Sequence, residues 1–403
     1  MSKIKVAIDF RVDDPRQGIG SSLLALAHGL SRIQNLDQEY IFLVYEHNLN
    51  WLTPHLSGPC SAMTVPTPIP KKVGRIRTQV RKLKFLQKLW SRSRSDESLL
   101  PHSDGFIETL GCDVVHFPSQ SAYVTKVPSI YQPWDLQHCH YPEFFSDDDL
   151  RVRNVQYPAF CRQARFVCIQ TEWGKKDLIR EYGIDPDRIA VIRYGTALEA
   201  YQPPLEVQTS RVRQELSLPS QFFVYPAITW PHKNHELILR SLGQLKTMGR
   251  LVHVVFTGVI TPYREHLDAL ARELGVYEQV HFLGFVTGDQ IQSIYSLATA
   301  MIFPSKFEGL GMPVLESFRV KLPVLCSSAT VLPEVAGKAA LFFAPDSTDE
   351  LVSAMERVQS SPELRAELVA EGLRVLERYS ANNAAMELSM LYEVVAGKAE
   401  GQT

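Results

Sequence analysis

The sequence predicts an α/β protein of two doubly wound, Rossmann-like domains facing across a cleft, and three observations carry that prediction. Short apolar runs alternate with helix-length segments along the 403 residues, as parallel strands buried on both faces require. The alternation stops in a polar stretch after Pro203-Pro204 and then restarts. Helix punctuation falls between the runs: Thr171 can cap a helix beginning at Glu172, and Gly183 followed by Asp185-Pro186 can end it.

In order, the first-half strands are expected at 6–10, 41–45, 114–117, 166–169 and 189–194. Those of the second half are expected at 222–225, 252–256, 280–283, 300–303, 324–326 and 341–343. The implied division is 1–203, 204–379 and a C-terminal helix with tail, 380–403, expected to pack back toward the first domain. Ligands of open α/β sheets bind beyond the carboxyl ends of the strands, so the site is expected in the cleft.

Composition narrows the function classes. With 45% hydrophobic and 21% charged residues, the chain reads as an ordinary globular protein. A formal net charge of −2 argues against a general nucleic-acid binder. The cysteines at 60, 112, 139, 161, 168 and 326 form no CxxC or zinc spacing and read as reduced thiols of a cytosolic protein. Met1 to Phe10 reads as a charged start and a first strand, with no export or spanning segment expected.

The chemistry concentrates in Phe307-Glu308-Gly309-Leu310-Gly311-Met312-Pro313-Val314-Leu315-Glu316. A buried strand precedes it, and Pro313 suits the first turn of a helix, so Gly309 to Met312 form a strand-to-helix turn. Its free N–H groups and the helix dipole suit a diphosphate. An ionised carboxylate beside phosphate needs another partner, and sugar hydroxyls supply one. Glu308 then faces a hexose and Glu316 a ribose. A helix start with ordinary acidic residues is the plainer alternative; agreement along the rest of the chain favours the site.

The Glu308/Glu316 pair, with seven residues between its members, resembles the EX7E motif of retaining family 4 glycosyltransferases of the GT-B fold. Segments 225–235, 280–286 and 189–195 resemble that family too. Gly18-Ile19-Gly20 is similar to its glycine loop, and Asp135 to His138 with 141–145 to its acceptor-side segment. The resemblance implies that the first domain binds acceptor and the second binds donor. It implies that Lys233 contacts the donor diphosphate, Glu308 the transferred sugar and Glu316 the ribose. Gly18 and Gly20 would line the donor, Gly309, Leu310, Gly311 and Met312 would offer backbone donors, and Phe285 and Val286 would flank the base.

Lys233 makes physical sense as a preorganised cation for the leaving diphosphate, which removes the need for a metal. A lysine at a helix start opposes the dipole and has no simple stabilising rationale there. Two positions depart from the family pattern. Ala227 stands where many relatives carry arginine, with His232 expected to substitute in part. Trp134 stands where relatives often place histidine, which leaves Asp135 or His138 to take the acceptor proton or position its hydroxyl. Asp135 could equally be a helix cap.

Other signals point elsewhere. Ser146-Asp147-Asp148-Asp149 resembles an acidic metal triplet but reads as a solvated helix start. His232, His235 and Glu236 lack a spaced set of ligands, and no metal or cofactor is expected. Residues 71–94 hold ten basic and no acidic side chains between apolar ones. This run reads either as an interfacial helix on an anionic membrane surface or as a solvated face.

The expected activity is metal-independent, retaining transfer of a hexose from a nucleotide diphosphate sugar to a glycan or lipid-linked saccharide in cell-surface polysaccharide synthesis. The expected place is cytoplasmic, and peripheral at the inner membrane face if the 71–94 run is the interfacial helix. UDP-glucose is the first expected donor and GDP-mannose the second. The rivals are a nucleotide-sugar epimerase of like fold and a catalytically silent nucleotide-sugar sensor.

Overall fold

The computed structural model describes residues 3–12, 18–34, 37–66, 96–200 and 204–397. The basic run 71–94, and with it the proposed membrane contact, lies outside the described residues. Contacts divide the chain into two units. The first holds residues up to 169, 175–192 and those from 384 on; the second holds 170–174 and 193–383. The change near 192 comes earlier than the expected 203.

The first unit is a parallel sheet of seven strands: β1 (Ile4–Asp9), β2 (Gln38–Tyr45), β3 (Cys60–Val65), β4 (Val114–Phe117), β5 (Ser129–Tyr131), β6 (Phe166–Ile169) and β7 (Ile189–Val191). Their order is β3-β2-β1-β4-β5-β6-β7. Val6 of β1 pairs with Tyr40 on one side and Val114 on the other. Strand order therefore reverses between β1 and β4, and right-handed crossovers then place helices on opposite faces. Two strands escaped the sequence reading. β3 is an edge strand whose alternately exposed residues form no apolar run, and β5 is wholly buried but only three residues long.

The second unit has six parallel strands: β8 (Phe223–Pro226), β9 (Val254–Thr257), β10 (Val280–Gly284), β11 (Ala300–Phe303), β12 (Val324–Ser327) and β13 (Ala340–Phe343). The order β10-β9-β8-β11-β12-β13 reverses between β8 and β11, which pair through Phe223 with Ala300 and Val224 with Met301. β9, β11 and β12 are buried along their whole length, as a sheet covered on both faces requires.

The last helix, Ala381–Val395, joins the first unit from Ala384 onward. Gln38 Nε2 donates to Ser389 O at 3.0 Å and to Glu393 Oε1 at 2.9 Å. The Tyr392 hydroxyl lies 2.8 Å from His116 Nδ1 on β4. The helix at Glu172–Tyr182 is capped as its sequence indicates, Gly174 N donating to Thr171 Oγ1 at 3.0 Å, and Gly183 has φ +62°. No helix among the described residues is long and apolar enough to cross a membrane. All six cysteines are free thiols.

Candidate functional site

The two loops beside the second unit's strand reversal are stitched to one another. After β8 the chain makes a 3-10 turn at Pro231–Lys233, and Asn234 at φ +58° turns it into the helix His235–Thr247. Asparagine tolerates that left-handed conformation, and its side chain adds bonds there. Asn234 Nδ2 donates to Pro304 O at 3.0 Å and to Pro345 O at 2.7 Å. Lys306 N donates to His232 O at 2.9 Å. Buried Tyr225 on β8 donates to Lys233 O at 2.8 Å and meets Ser305 Oγ at 3.0 Å. Ser327 Oγ, at the end of β12, donates to Ser305 O at 2.6 Å.

This framework brings Lys233 and Glu308 together. Lys233 Nζ lies 2.6 Å from Glu308 Oε1, with the side chains 18% and 11% exposed. A charge-assisted bond so far from bulk water is stronger than a surface pair, and removing either partner strands the other charge. The same carboxylate helps hold the Tyr225 hydroxyl in its neutral form, though burial is the larger cause.

Beyond Glu308, Gly311 has φ +81° and precedes the helix Met312–Arg319. A Cβ there would lie 2.7 Å from Leu332 Cδ2, so the turn admits only glycine in this shape. Leu310 and Met312 are buried, beside half-buried Gly309. The start of a helix leaves N–H groups without intrahelical partners, as an anion site needs. Glu316 lies on that helix, and the buried Tyr295 hydroxyl donates to its Oε2 at 3.1 Å. Phe285 follows β10 and is 48% exposed beside half-buried Val286. Val259, Ile260 and Trp230 add exposed apolar surface after β9 and β8.

His232, expected to substitute in part for the arginine that Ala227 replaces, lies in the same turn as Lys233. Its ring is buried, and desolvation first, then Lys233 and His235, lowers its pKa to about 3. Near pH 7 it is neutral, and Lys233 carries the local positive charge of that turn.

In the first unit, Gly18 and Gly20 lie in the first turn of the helix Gly18–Leu30, which follows β1 in the chain. The loop after β5 holds Trp134 and Asp135, and the short helix Gln137–His140 that follows holds His138. Trp134 has φ +69°, and its Nε1 donates to Pro118 O at 2.9 Å. Asp135 Oδ1 accepts from Gln137 N at 3.0 Å, two residues on, as in an Asx turn. His138 is buried, its Nε2 2.9 Å from the Tyr182 hydroxyl and its ring 4.9 Å from that of Tyr157. Burial, then Arg153 and His140, lowers its pKa to about 4. The structure thus buries His138, the expected candidate for taking the acceptor proton or positioning its hydroxyl, inside the first unit.

Several arrangements went unread in the sequence. At the end of β1, Arg11 grips Asp9 with two bonds, Nε to Oδ1 at 2.9 Å and Nη2 to Oδ2 at 2.5 Å, and lies over the Tyr123 ring. The charged pattern Asp9-Phe10-Arg11 after a strand is the signal that could have found it. His140, Asp177 and Glu181 also converge, but Arg180 already bonds both carboxylates. The acidic triplet is a helix start, with Asp149 N donating to Ser146 Oγ at 3.1 Å.

Comparison with known proteins adds the following. Residues 207–374 match the family described as glycosyl transferases group 1. The O-antigen chain mannosyltransferase B of Escherichia coli is 24% identical over 288 residues, 68% of this chain and 74% of that protein. A serotype-specific mannosyltransferase WbdA of the same species is 30% identical over 308 residues, 70% of this chain but 37% of that protein. The chain thus spans about three quarters of the first and under two fifths of the second. Among solved structures, Anabaena Alr3699/HepE in complex with UDP and glucose superposes with a TM-score of 0.71 at 17% identity, covering 97% of this chain and 100% of that one. WaaG, a glycosyltransferase involved in lipopolysaccharide biosynthesis, gives 0.64 at 16% over 97% and 100%.

Proposed function

We propose that this GT-B chain, whose residues 207–374 match the glycosyl transferases group 1 family, is a retaining, metal-independent hexosyltransferase of cell-surface polysaccharide assembly. The observation that carries the reading is the Lys233–Glu308 pair on the two loops beside the strand reversal, at the mouth of a glycine turn and helix start. Open α/β sheets bind ligands at that position.

The donor diphosphate takes the N–H groups of 309–312 and the Lys233 ammonium. Lys233 thereby exchanges its carboxylate partner for phosphate, and Glu308 is released toward the sugar hydroxyls. Glu316, held by Tyr295, accepts from the ribose, and Phe285 and Val286 flank the base. Transfer breaks the bond from sugar C1 to the phosphate oxygen, whose electron pair leaves with the diphosphate. The acceptor oxygen attacks C1 from the same face and gives its proton to the departing phosphate oxygen. Lys233 stabilises the charge that develops there.

The relatives' names as mannosyltransferases support mannose as the sugar, carried by guanosine diphosphate, ahead of UDP-glucose. The acceptor is a glycan or lipid-linked saccharide. Trp134 and Asp135 are its candidates in the first unit, and 71–94 is the proposed contact with an anionic membrane.

The deciding experiment is thermal stabilisation in a chelator by uridine, guanosine and adenosine diphosphates and their sugars, followed by identification of the product anomer. A shift with one base without metal, and a product retaining the donor's anomeric configuration, supports the proposal. Epimerised donor without transfer would move the assignment to an isomerase, and no shift with any nucleotide would remove the donor site.

A further inference from the structure

The loop after β12 carries an unusual residue directly behind Glu308. Thr330 has φ +49°. Among the described non-glycine residues at positive φ, it alone is β-branched. Branching at Cβ makes that conformation costly, and it persists only where the surroundings impose it, commonly beside functional sites.

Here the surroundings are Glu308 itself. Glu308 N donates to Thr330 Oγ1 at 3.2 Å, and the Thr330 hydroxyl donates to Glu308 O at 3.2 Å. One side chain thus holds both backbone polar groups of the residue whose carboxylate Lys233 holds. Glu308 follows β11 and lies outside the strand ladder, so this hydroxyl does for it what a neighbouring strand does for ladder residues.

We infer that Thr330 is a positioning residue for the transferred sugar: it fixes the Glu308 backbone so that the carboxylate stays aimed when Lys233 turns to the diphosphate. This rests on the assignment of Glu308 to the sugar. The consequence separates two ligands that share a nucleotide. Loss of the hydroxyl should weaken whatever depends on the sugar and leave the nucleoside diphosphate alone, whereas a merely structural role would weaken both together.

The test is calorimetric titration of the full chain with GDP, GDP-mannose, UDP and UDP-glucose, together with the rate of diphosphate release from the bound donor. Thr330→Val keeps the branched shape and removes both hydrogen bonds. Its sugar-dependent gain in affinity should fall at least about fivefold and its turnover about ten- to a hundredfold, the scale of a slightly misplaced catalytic group, with the diphosphate Kd within about twofold. Thr330→Ser should restore all three to within about threefold, since it keeps the hydroxyl. If Thr330→Val does not fold, Thr330→Gly, which suits positive φ and lacks the hydroxyl, carries the same expectation.

Unchanged sugar-dependent affinity and turnover in the hydroxyl-free variant overturns the inference, as does equal weakening of diphosphate and sugar nucleotide. Glu308→Gln separates the two levels of failure. If it loses the sugar-dependent gain while Thr330→Val keeps it, only the role of Thr330 falls. If Glu308→Gln behaves as wild type, or if wild type binds none of the four nucleotides, the assignment of Glu308 falls and takes this inference with it.

Discussion

Both units carry a carboxylate and a cation at the carboxyl edge of the sheet beside the strand reversal, and the two pairs are built differently. Asp9 and Arg11 stand two residues apart at the end of one strand and satisfy each other through two side-chain bonds and one from the Arg11 backbone N–H. Lys233 and Glu308 lie 75 residues apart, on loops from the two strands that flank the reversal, and share a single 2.6 Å contact. A pair made within one strand end fixes the chain's exit. A pair made across two strands leaves donor and acceptor capacity to spare, and an anion can divide it.

The comparison breaks first at Lys233. Lys233→Ala should lower sugar transfer by about 10²–10³, the scale of removing one preorganised donor from a developing oxyanion. It also leaves the Glu308 carboxylate partly buried and unpaired. Arg11→Ala should reduce the melting temperature while transfer stays within about tenfold of wild type, because Arg11 packs on Tyr123 and acts through structure. Steady-state rates and melting curves of the two variants check the contrast; a larger rate loss in Arg11→Ala than in Lys233→Ala would reverse the roles of the two edges.

The next effect is shared by both units. His116 and His138 in the first, and His232 and His235 in the second, are held below their ordinary 6.5, at about 3, 4, 3 and 3, chiefly by burial. With folded values below the unfolded one, the unfolded chain takes up protons first as pH falls. Their stabilising effect is therefore complete above about 6.5 and is lost between there and the folded values. At pH 5 each costs about 1–2 kcal/mol. Melting curves should fall steeply between pH 7.5 and 5, and His235→Phe should make that fall shallower. A flat profile would mean the rings are charged or accessible.

The same contrast explains what could be read in advance. The turn at 309–312 and its helix were legible because glycine, proline and strand lie within a dozen consecutive residues and act locally. The meeting of Lys233 with Glu308 is tertiary, and it was available only through resemblance to a family. The groups that hold them, Tyr225, Asn234, Ser305 and Thr330, are common residue types with no spacing signal. In the first unit, the burial of His138 was not legible because a sequence does not show that Tyr157 and Tyr182 close over it. β5 is too short to register as an apolar run, and β3, at the sheet edge, has no apolar period.

Tyr295 offers a finer measure of the second unit's edge. Its buried hydroxyl donates to Glu316 Oε2, so Tyr295→Phe removes one hydrogen bond worth about 0.5–1.5 kcal/mol, or roughly a two- to tenfold rise in donor Kd. Turnover at saturating donor should be unchanged, because a ribose contact binds ground state and transition state alike. Titration against inorganic pyrophosphate, which has no ribose, should show no difference between variant and wild type. A fall in turnover with unchanged donor affinity would place Glu316 nearer the chemistry than the ribose.

The smallest expected effect is at Asp135, and it decides how far the two edges differ. Asp135 accepts from Gln137 N, and asparagine accepts the same bond in the same shape while losing the capacity to take a proton at neutral pH. If the departing phosphate oxygen receives the acceptor's proton, Asp135→Asn should keep transfer within about threefold and stability within about 0.5 kcal/mol, since the turn's hydrogen bond is retained. A loss of about a hundredfold, the contribution of a general base, would instead make Asp135 that base. The loop after β5 would then hold a reacting group, and the first unit's edge would be chemical as well as structural.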